Sequence, residues 1–392
     1  MKKYYIYTFG CKVNQYESQL ISEKFESNNF QRMQKPNEAD IIVLNSCTIT
    51  AKTDKECKYF LRKILKLPNK PKIILTGCLV KNKNINVRQM FPNIEIVEDK
   101  TILFKEPQKQ RISYFDKHSR AFLKIQDGCK SFCSYCIVPY VRNILWSKPK
   151  NEILSEIINL VKNGYSEIVL TGIHIGKYNH GISNLLKEIV QIPLSFRVRI
   201  SSIELNEIND ELIEIMKINK EKICRYIHVP LQSGNDDILR KMNRKYLTID
   251  FEKKINKIMQ ILPDLALTTD IIAGFPGETR KHHKETCSFV QKIPFARFHI
   301  FRYSDRQGTN AFLFKNKIHP NEIKNRAKDL FEIDSYKRKD FLKKNMNTRR
   351  NAVKIGKDKV LTDNYITIKK SVKDLNVKND IFEVEITDSA KI

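Results

Sequence analysis

The sequence predicts an α/β protein in three parts: an N-terminal domain with an open parallel sheet, a central partial (βα)6 barrel and a short C-terminal β-rich tail. Three observations support this fold class. Apolar runs alternate with helical stretches over the first hundred residues, six further units of this kind follow, and apolar residues occupy every second position near the end. Alternating strands and helices favour a parallel sheet, whereas period-two patterning marks strands with one buried face.

The N-terminal sheet is predicted from three runs rich in β-branched and aromatic residues, "YYIYTF", "DIIVLN" and "KIILTG". Each run is soon followed by a cysteine, namely Cys11, Cys47 and Cys78. The loops after parallel strands lie at one edge of a sheet, so we expect these three thiols to meet in one crevice. The alternative is that the cysteines are small residues that fill loop positions, because cysteine packs readily in protein interiors.

The barrel is predicted from six strand candidates separated by helical stretches such as "NEILSEIINLVKNG". The candidates are "AFLKIQ", "EIVLTG", "FRVRIS", "YIHVPL", "LALTTDII" and "ARFHIFR". Active sites of such barrels lie at the carboxyl ends of the strands. A cysteine-rich loop directly follows the first candidate, which predicts that this loop lies on the catalytic face.

The tail contains the strand candidates "NYITIKK" and "DIFEVEITD". Phe382, Val384 and Ile386 alternate there with polar residues, as in a half-buried strand. A β domain of this size has marginal stability by itself, so we expect it to pack on the barrel. A charged connection is predicted at about 100–120. The predicted domains are 1–105, 120–335 and 345–392.

The composition predicts a cytoplasmic protein with no membrane contact. The chain has 392 residues and 41% hydrophobic content, which is enough for a full core and excludes a disordered tail. The start "MKKYYIYTFGCK" lacks the apolar core of a signal peptide, and no run of about 18 apolar residues appears. A reducing cytosol disfavours disulfides, so a tight group among the nine cysteines indicates metal or redox chemistry.

The net charge is strongly positive. Lysine and arginine number 71 against 44 acidic residues, which gives a formal charge of +27. Such a charge attracts a polyanion such as nucleic acid. Abundant lysine, asparagine and isoleucine are also typical of proteins from AT-rich genomes, so charge alone leaves both explanations open.

The stretch "DGCKSFCSYCIVP" places Cys129, Cys133 and Cys136 within eight residues and offers no fourth ligand. Structural zinc sites need four ligands, and no histidine or cysteine lies within the next thirty residues. A cubane iron–sulfur cluster has four irons, each of which needs a ligand. Three cysteines would leave one iron open to a small molecule.

This pattern resembles the radical S-adenosylmethionine superfamily, whose open iron binds the amino and carboxylate groups of the cofactor before one electron cleaves it to a 5′-deoxyadenosyl radical. The opening "TFGCKVNQYES", with the two later cysteines, is similar to the amino-terminal domain of methylthiotransferases, which carries a second cluster. The resemblance implies two 4Fe-4S clusters. Their ligands would be Cys11, Cys47 and Cys78 for the first, and Cys129, Cys133 and Cys136 for the second, which binds S-adenosylmethionine.

Further stretches carry the resemblance across the barrel, among them "VLTGIHIGKY", "HVPLQSGNDDILRKMNRKY" and "TTDIIAGFPGET". The segments "GCKVNQYES", "TGIHIG" and "RISSIE" are most similar to threonylcarbamoyladenosine tRNA methylthiotransferases. The family reaction places a methylthio group at C2 of a modified adenosine beside the anticodon, with S-adenosylmethionine as methyl donor and radical source. The C2–H bond is unactivated, so the cofactor carries the hard step and the protein positions it.

The implied partners are the anticodon loop of tRNA and an electron donor protein such as a flavodoxin or ferredoxin; no DNA is implied. Two alternatives remain open. The same chemistry acts on isopentenyladenosine tRNA or on a ribosomal protein in related enzymes, and an iron–sulfur RNA-binding protein without catalysis would share the cysteines.

Cofactor contacts are expected after the barrel strands, at Thr171, Gly172, Ser202, Glu204, Gln232, Ser233, Gly234 and Gly274. Each is also explained as a turn residue, a helix cap or a glycine that needs positive φ. Cys57, Cys224 and Cys287 match no cluster position and are expected to pack in the interior. His174, His228 and His299 are expected to have a core or supporting role.

Two basic segments, "KTDKECKYFLRKILKLPNKPK" and "RKDFLKKNMNTRR", are candidate RNA contacts or solvated faces. The family's last domain is a small tRNA-binding β barrel called TRAM, and this tail is short for it. A second departure follows the cysteine loop. Relatives often have Arg-Gly and then Ser-Arg where this chain has Arg142-Asn143 and Ser147-Lys148, which predicts a rearranged loop.

Overall fold

The computed structural model describes residues 1–103, 111–116, 119–356, 358–369 and 381–392. The predicted connection at 100–120 and the tail lie partly outside these residues. The chain forms two compact units. The first comprises Met1–Asp116, Asp127–Trp146 and Ser304–Phe312, and the second comprises Lys117–Gln126, Ser147–Tyr303 and Leu313–Ile392. The domain boundaries at 1–105, 120–335 and 345–392 remain a prediction.

Eighteen strands lie in the described residues: β1 (Lys3–Thr8), β2 (Gln31–Arg32), β3 (Ile41–Ser46), β4 (Lys72–Gly77), β5 (Glu95–Val97), β6 (Ala121–Lys124), β7 (Gln126–Asp127), β8 (Trp146–Ser147), β9 (Glu167–Thr171), β10 (Arg197–Ile200), β11 (Tyr226–His228), β12 (Ala266–Ala273), β13 (Arg297–Arg302), β14 (Arg349–Gly356), β15 (Lys359–Thr362), β16 (Thr367–Lys369), β17 (Phe382–Glu385) and β18 (Ala390–Lys391).

The same residues contain α1 (Lys12–Ser27), α2 (Ala51–Ile64), α3 (Val87–Met90), α4 (Val138–Val141), α5 (Lys150–Lys162), α6 (Ile182–Val190), α7 (Asp210–Ile218), α8 (Asp236–Lys241), α9 (Thr248–Ile261), α10 (Arg280–Lys292) and α11 (Pro320–Asn345). Single 3₁₀ turns lie at Pro36–Glu38, Lys100–Leu103, Ile175–Lys177, Leu205–Glu207 and Asn310–Leu313. Among the described helices, none combines the length and apolar character needed to cross a bilayer.

The first unit contains a five-stranded parallel sheet in the order β2-β1-β3-β4-β5. Strands β3 and β4 are buried along almost their whole length, as expected for a parallel sheet with both faces covered. Helix α2 buries Asp54, Cys57, Leu61 and Ile64 and exposes lysine and arginine on its other face. The predicted N-terminal open parallel sheet is confirmed.

The second unit contains six parallel strands in two sheets of three, in the orders β10-β9-β6 and β11-β12-β13. Isolated parallel bridges, Val198↔Ile223 and Ser202↔His228, connect the two sheets between β10 and β11. No ladder joins the outer strands β6 and β13 in the part of the chain that the structure describes. The six strands therefore form an incomplete barrel, and the predicted partial (βα)6 architecture is confirmed.

The C-terminal residues form a five-stranded sheet in the order β17-β14-β15-β16-β18, and its strand pairs are antiparallel. Val384 and Ile386 are buried in its core, and Phe382 packs against that core. The period-two pattern at the end of the chain therefore predicted both the strand and its buried face. The β-rich tail is confirmed.

Two buried arginines of β10 attach this sheet to the barrel strands. The guanidinium of Arg197 donates to the backbone oxygens of Asn351 and Leu361 at 2.7 and 2.8 Å. The guanidinium of Arg199 donates to the backbone oxygens of Thr362 and Asp363 at 3.0 and 2.9 Å. The expectation that the tail packs on the barrel therefore has a specific hydrogen-bonded basis.

Glu167 on β9 is the acidic partner of these arginines. Its carboxylate is fully buried and lies 2.6 Å from Arg197 Nη2 and 2.8 Å from Arg199 Nε. Burial alone would raise the pKa of Glu167, but the charges of Arg199, Arg197 and Arg120 outweigh this effect and hold the pKa well below its ordinary value. The seam between barrel and tail thus contains a carboxylate that stays ionised at neutral pH.

Candidate functional site

The structure brings Cys11, Cys47 and Cys78 together in the first unit. Cys11 is the N-cap residue of α1, Cys47 follows β3, and Cys78 follows β4. Cys78 contributes to a raised pKa at both Cys11 and Cys47, and Cys11 contributes at Cys47. The backbone N–H of Cys78 donates to Ser46 O at 2.9 Å. The expectation from the parallel order of the strands, that the three thiols meet at one edge, is confirmed.

Thiolates at this site need a compensating positive charge. Burial raises the pKa of Cys47 to about 12, with Cys78 and Cys11 adding to the rise. Cys11 is an exposed residue, but the protein atoms around its thiol raise the thiol pKa by desolvation, and the positive charge of Arg142 opposes that rise. Thiolates gathered in such a place are costly unless a metal compensates their charge. Three converging sulfur donors therefore fit an iron–sulfur cluster with one iron left without a protein ligand.

Two glycines let the loops approach each other. Gly10 and Gly77 both have φ +99°, a conformation that strains any other residue. A Cβ on Gly10 would lie 2.7 Å from Cys47 Sγ, and a Cβ on Gly77 would lie 2.3 Å from Ser46 O. Neither position has space for a side chain.

The polar residues after Cys11 hold the three loops in place. Asn14 donates from Nδ2 to the backbone oxygens of Phe9 and Ser46 at 2.8 and 2.9 Å. Asn45 donates to Asn14 O and to Ser18 Oγ, both at 2.9 Å. Sequence reasoning used "GCKVNQYES" for resemblance alone and missed these roles. The available signal was the spacing of Asn14, Glu17 and Ser18, which places three polar side chains on one face of a helix that follows a cysteine.

The second cysteine loop has its own hydrogen bonds. The backbone N–H of Cys129 donates to Arg142 O at 3.1 Å, and that of Cys136 donates to Cys133 O at 2.9 Å. Cys129, Cys133 and Cys136 are each partly exposed. All nine cysteines lie in the described residues, and none forms a disulfide. Cys129 Sγ accepts from the N–H of Ser131 at 3.4 Å, a hydrogen bond within the loop itself.

The two residues that depart from the family pattern differ in exposure: Asn143 is exposed and directly follows the buried Arg142, whereas Lys148 is buried. Arg142 is 8% exposed, and its guanidinium contacts Cys78, Asp127, Glu17 and Asn14. Lys148 is fully buried and pairs with Glu156, which is also fully buried. A lysine at 148 is therefore accommodated by an ion pair within the second unit.

The expected cofactor contacts lie after barrel strands. Thr171 ends β9, Ser202 and Glu204 follow β10, Gln232 and the two residues after it follow β11, and Gly274 follows β12. Parallel strands place these positions at one edge of their sheet. Their role in cofactor binding remains a proposal.

Several of these positions also have structural partners. A Cβ on Gly172 would lie 2.8 Å from Ile175 Cγ2, and one on Gly274 would lie 2.5 Å from Ile323 Cγ1. The carboxylate of Glu204 pairs with Arg244. Helix packing and ion pairing therefore explain part of what the sequence interpretation assigned to the cofactor.

The expected cofactor contacts in the loop after β11 also have structural hydrogen bonds. Gln232 has φ +74°, and its N–H donates to Asp270 O at 2.8 Å. Ser233 Oγ accepts from the N–H of Asn235 at 3.3 Å, and the N–H of Gly234 donates to Thr286 Oγ1 at 3.2 Å. Hydrogen bonds to β12 and α10 thus fix the backbone of this loop.

The barrel strands also bring together His228, Asp270 and His299. Each offers one atom that could bind a metal, and these atoms lie within 4.8 Å of one another. His228 Nδ1 lies 2.9 Å from Thr268 Oγ1, and its Nε2 lies 3.2 Å from Asp270 Oδ1. Burial and the charge of Arg297 lower the pKa of His299 to about 4. Both ring nitrogens of His228 already have partners, so a supporting role is the simpler explanation.

The remaining cysteines are placed as expected for packing residues. Cys57 and Cys224 are buried, and burial raises the pKa of each to about 12. Cys287 is half-buried, and its Sγ lies 3.5 Å from His283 Nε2.

His174, another histidine expected to have a core or supporting role, contacts an acidic side chain. Its Nε2 lies 2.7 Å from Glu207 Oε1.

Two segments of the chain match known protein families. Residues 3–98 match the Uncharacterized protein family UPF0004, and residues 123–290 match the Radical SAM superfamily. The threonylcarbamoyladenosine tRNA methylthiotransferase MtaB of Thermotoga maritima is 37% identical over 84% of this chain and 83% of its own length. The protein of the same name from Bacillus subtilis is 33% identical over 86% and 81%.

The chain belongs to the radical S-adenosylmethionine tRNA methylthiotransferase family. This membership confirms the predicted enzyme class and reaction, methylthiolation of tRNA, together with S-adenosylmethionine and 4Fe-4S chemistry. A second group of relatives includes the tRNA-2-methylthio-N(6)-dimethylallyladenosine synthase of Clostridium novyi, 32% identical over 87% of this chain and 83% of that protein.

The methylthiotransferase also shares its fold with more distant radical enzymes. The methyltransferase TsrM of Kitasatospora setae superimposes with a TM-score of 0.58 at 12% identity, covering 77% of this chain and 75% of that one. At this identity the likeness concerns the fold alone.

Proposed function

We propose that this methylthiotransferase attaches a methylthio group to C2 of N6-threonylcarbamoyladenosine, next to the anticodon of tRNA. Four relatives with that activity in their names are 31–37% identical to the chain. Four named for dimethylallyladenosine are 31–32% identical. The higher identity to the first group, up to 37%, carries the choice of substrate. The convergence of three thiols, in addition to the three on the second cysteine loop, supports the methylthio-transfer reaction that both groups share.

The proposed cluster ligands follow from these two sites. Cys11, Cys47 and Cys78 would hold one 4Fe-4S cluster, and Cys129, Cys133 and Cys136 would hold the other. When bound, the clusters supply one open iron for S-adenosylmethionine and one for the sulfur to be transferred. The protein contributes the geometry: the glycines before Cys11 and Cys78 let the loops close, and the amide of Asn14 keeps two of them in register.

The rest of the proposed assignment concerns the barrel edge and the partners. Residues after the strands would position the cofactor, in the set Thr171, Gly172, Ser202, Glu204, Gln232, Ser233, Gly234 and Gly274. An electron donor protein such as a flavodoxin or ferredoxin would supply the electron. The proposed setting is the cytoplasm, without membrane or DNA partners.

The proposed RNA contacts favour α2 over the end of α11. Lys52, Lys55, Arg62 and Lys63 are exposed on α2, and of these Lys52 lies 3.7 Å from Glu56. In the other basic segment Arg338, Lys344 and Arg349 are paired with Asp334, Asp340 and Glu383. An anticodon loop is single-stranded and offers unstacked bases, so the protein need not open a duplex, and cations would meet its phosphates.

Mass spectrometry of tRNA nucleosides tests the proposal. Cells lacking the gene should lose 2-methylthio-N6-threonylcarbamoyladenosine, and the wild-type gene should restore it. The variant Cys11→Ala should not restore it, whereas Cys57→Ala, a matched change at a buried cysteine of the same unit, should. Loss of the isopentenyl-type nucleoside instead would move the substrate to the second group of relatives, and an unchanged nucleoside pool would refute both.

A further inference from the structure

One residue, Arg142, contacts both cysteine sites of the first unit, one through its backbone and the other through its side chain. The backbone oxygen of Arg142 accepts from the N–H of Cys129 at 3.1 Å. The side chain of Arg142 donates from Nε to Cys78 Sγ at 3.3 Å. The same residue thus fixes a loop position beside one proposed ligand and donates directly to a proposed ligand of the other site.

Arg142 belongs to a group of largely buried charged side chains. Its Nη1 lies 2.7 Å from Asp127 Oδ2, and its Nη2 lies 2.9 Å from Glu17 Oε2. Lys100 also pairs with Glu17, at 2.5 Å. Each thiolate of the neighbouring site adds negative charge beside this group. Within this group Arg142 provides the hydrogen bond to sulfur.

The contact with Asp127 extends this group to the second cysteine loop. Arg142 Nη1 donates to Asp127 Oδ1 and Oδ2 at 2.8 and 2.7 Å, and to Glu17 Oε1 at 3.2 Å. Asp127 directly precedes Gly128 and Cys129. Gly128 has φ +80°, and a Cβ there would lie 2.1 Å from Ile144 O, so the chain path at this point is tightly constrained. A change at Arg142 therefore acts on the start of the loop as well as on Cys78.

A donor to a cluster ligand changes the energy of the two redox states unequally. Reduction adds an electron whose charge is shared by the sulfurs, so a nearby cation and an N–H···S hydrogen bond stabilise the reduced state more than the oxidised state. Hydrogen bonds to sulfur and local charge are among the main determinants of cluster potentials.

We propose that Arg142 is a positioning residue that raises the reduction potential of the cluster at Cys11, Cys47 and Cys78 while holding the Cys129 loop beside it. This inference rests on the cluster ligands given under the proposed function. Glu17 acts in the opposite direction, because its carboxylate lies in the same buried group and opposes added negative charge. If Arg142 had a purely structural role, substitutions of Arg142 and Glu17 would not be expected to shift the reduction potential in opposite directions.

The experiment uses the full chain with Cys129, Cys133 and Cys136 changed to alanine, so that a single cluster remains. After anaerobic reconstitution, the midpoint potential is measured by a redox titration followed by electron paramagnetic resonance. Arg142→Gln should lower the potential by about 59 mV or more, a tenfold shift in the one-electron equilibrium. Glu17→Gln should raise it. Arg142→Lys, which keeps the charge and loses the Nε donor, should fall between.

The control is Arg88→Gln, the same change at an exposed ion pair of the same unit, and it should leave the potential unaltered. Equal potentials in the Arg142→Gln and Glu17→Gln variants, or shifts of the same sign, would overturn the inference. If Arg142→Gln holds no cluster, Glu17→Gln decides the matter: a raised potential supports the inference and an unchanged one refutes it.

Failure of the proposed function gives a different result. If the triple-alanine protein binds no iron at all, the ligand assignment at Cys11, Cys47 and Cys78 is wrong. If it binds a four-iron cluster whose potential ignores Arg142, only the present inference is wrong. Iron content and potential are therefore measured on the same sample.

Discussion

Gly10 lies directly before Cys11, and its missing side chain leaves the space that Cys47 occupies. A Cβ at this position would meet Cys47 Cβ at 2.6 Å and Cys47 Sγ at 2.7 Å. Both distances are below the van der Waals contact distance, so Cys47 or the backbone near it would have to move to make room for a side chain at Gly10. The arrangement of the thiols therefore depends on a residue that supplies no ligand.

We expect Gly10→Ala to remove the cluster at Cys11 and to leave the other cluster in place. Reconstituted wild-type protein should hold about eight irons, two four-iron cubanes, and the variant about four. Cleavage of S-adenosylmethionine should persist, because the second loop is unchanged. Iron analysis and detection of 5′-deoxyadenosine measure the two effects.

Two other glycines separate the reasons for this loss. Gly181 also has positive φ, +74°, but the nearest atom to its Cβ would be 3.6 Å away, so Gly181→Ala adds backbone strain without the clash. Gly356 has neither the strained φ nor a contact closer than 4.0 Å. Both alanine variants should retain eight irons. If Gly181→Ala also lost four irons, general destabilisation by backbone strain, and not the contact with Cys47, would explain the lost cluster.

Sequence reasoning found the six cysteines but not the residues that organise them. Cysteine spacing is a local signal, and the parallel order of β1, β3 and β4 follows from the alternation of strands and helices. The role of Arg142 depends on contacts with Glu17 and Cys78, 125 and 64 positions away. Such long-range pairing leaves no periodic mark in the chain, so Arg142 was noted only as part of a departure from the family pattern.

At the scale of elements, β9 and β10 share a buried ion cluster. Glu167 on β9 faces Arg197 and Arg199 on β10, and all three side chains are almost completely buried. Removing one member of a buried set leaves an uncompensated charge, which costs about 3–5 kcal/mol. The pairing of these strands is therefore sensitive to one carboxylate.

We expect Glu167→Gln to lower the free energy of unfolding at pH 7 by about 3–5 kcal/mol. The pKa of Glu167 is lowered in the folded state, so its stabilising effect is fully present above the ordinary glutamate pKa of about 4.3 and is lost as pH falls toward the folded pKa. The difference between wild type and variant should therefore shrink as the pH decreases below about 4.3.

Urea denaturation at pH 7 and at successively lower pH measures this difference. Glu188→Gln, at an exposed pair with Lys150, is the matched control and should change stability by less than about 1 kcal/mol at every pH. A pH-independent difference for Glu167→Gln would mean that lost packing, and not the charge, causes the destabilisation.

The longer elements were predictable and the shortest were not. The buried runs of β3 and β4 and the alternation in β17 are strong periodic signals. The strands β2, β7, β8 and β18 have two residues each. They exist because a neighbouring strand offers unpaired backbone groups, and two residues carry no recognisable period.

At the scale of the whole molecule, the charge of +27 predicts salt-dependent binding of tRNA. About six phosphate contacts on a single-stranded loop give a slope of about −4 for log K against log salt, so affinity should fall about 250-fold between 50 and 200 mM salt. Filter binding or fluorescence anisotropy over that range measures the slope.

The exposed face of α2 provides the variant for this measurement. Arg62→Gln together with Lys63→Gln should flatten the slope by about 0.7 for each lost contact. Lys187→Gln with Lys257→Gln removes the same charge from exposed ion pairs and is the control. Equal slopes for the two double variants would exclude α2 as a phosphate contact and leave only the overall charge.

The acceptors that Arg197 and Arg199 use in the C-terminal sheet are all backbone oxygens. Every residue type provides such an oxygen, so the attachment selects the path of the chain and not its side chains. Drift in the sequence of β14 and β15 is then compatible with an unchanged junction. A terminal sheet can become unrecognisable by sequence in this way while the barrel continues to hold it at the same place.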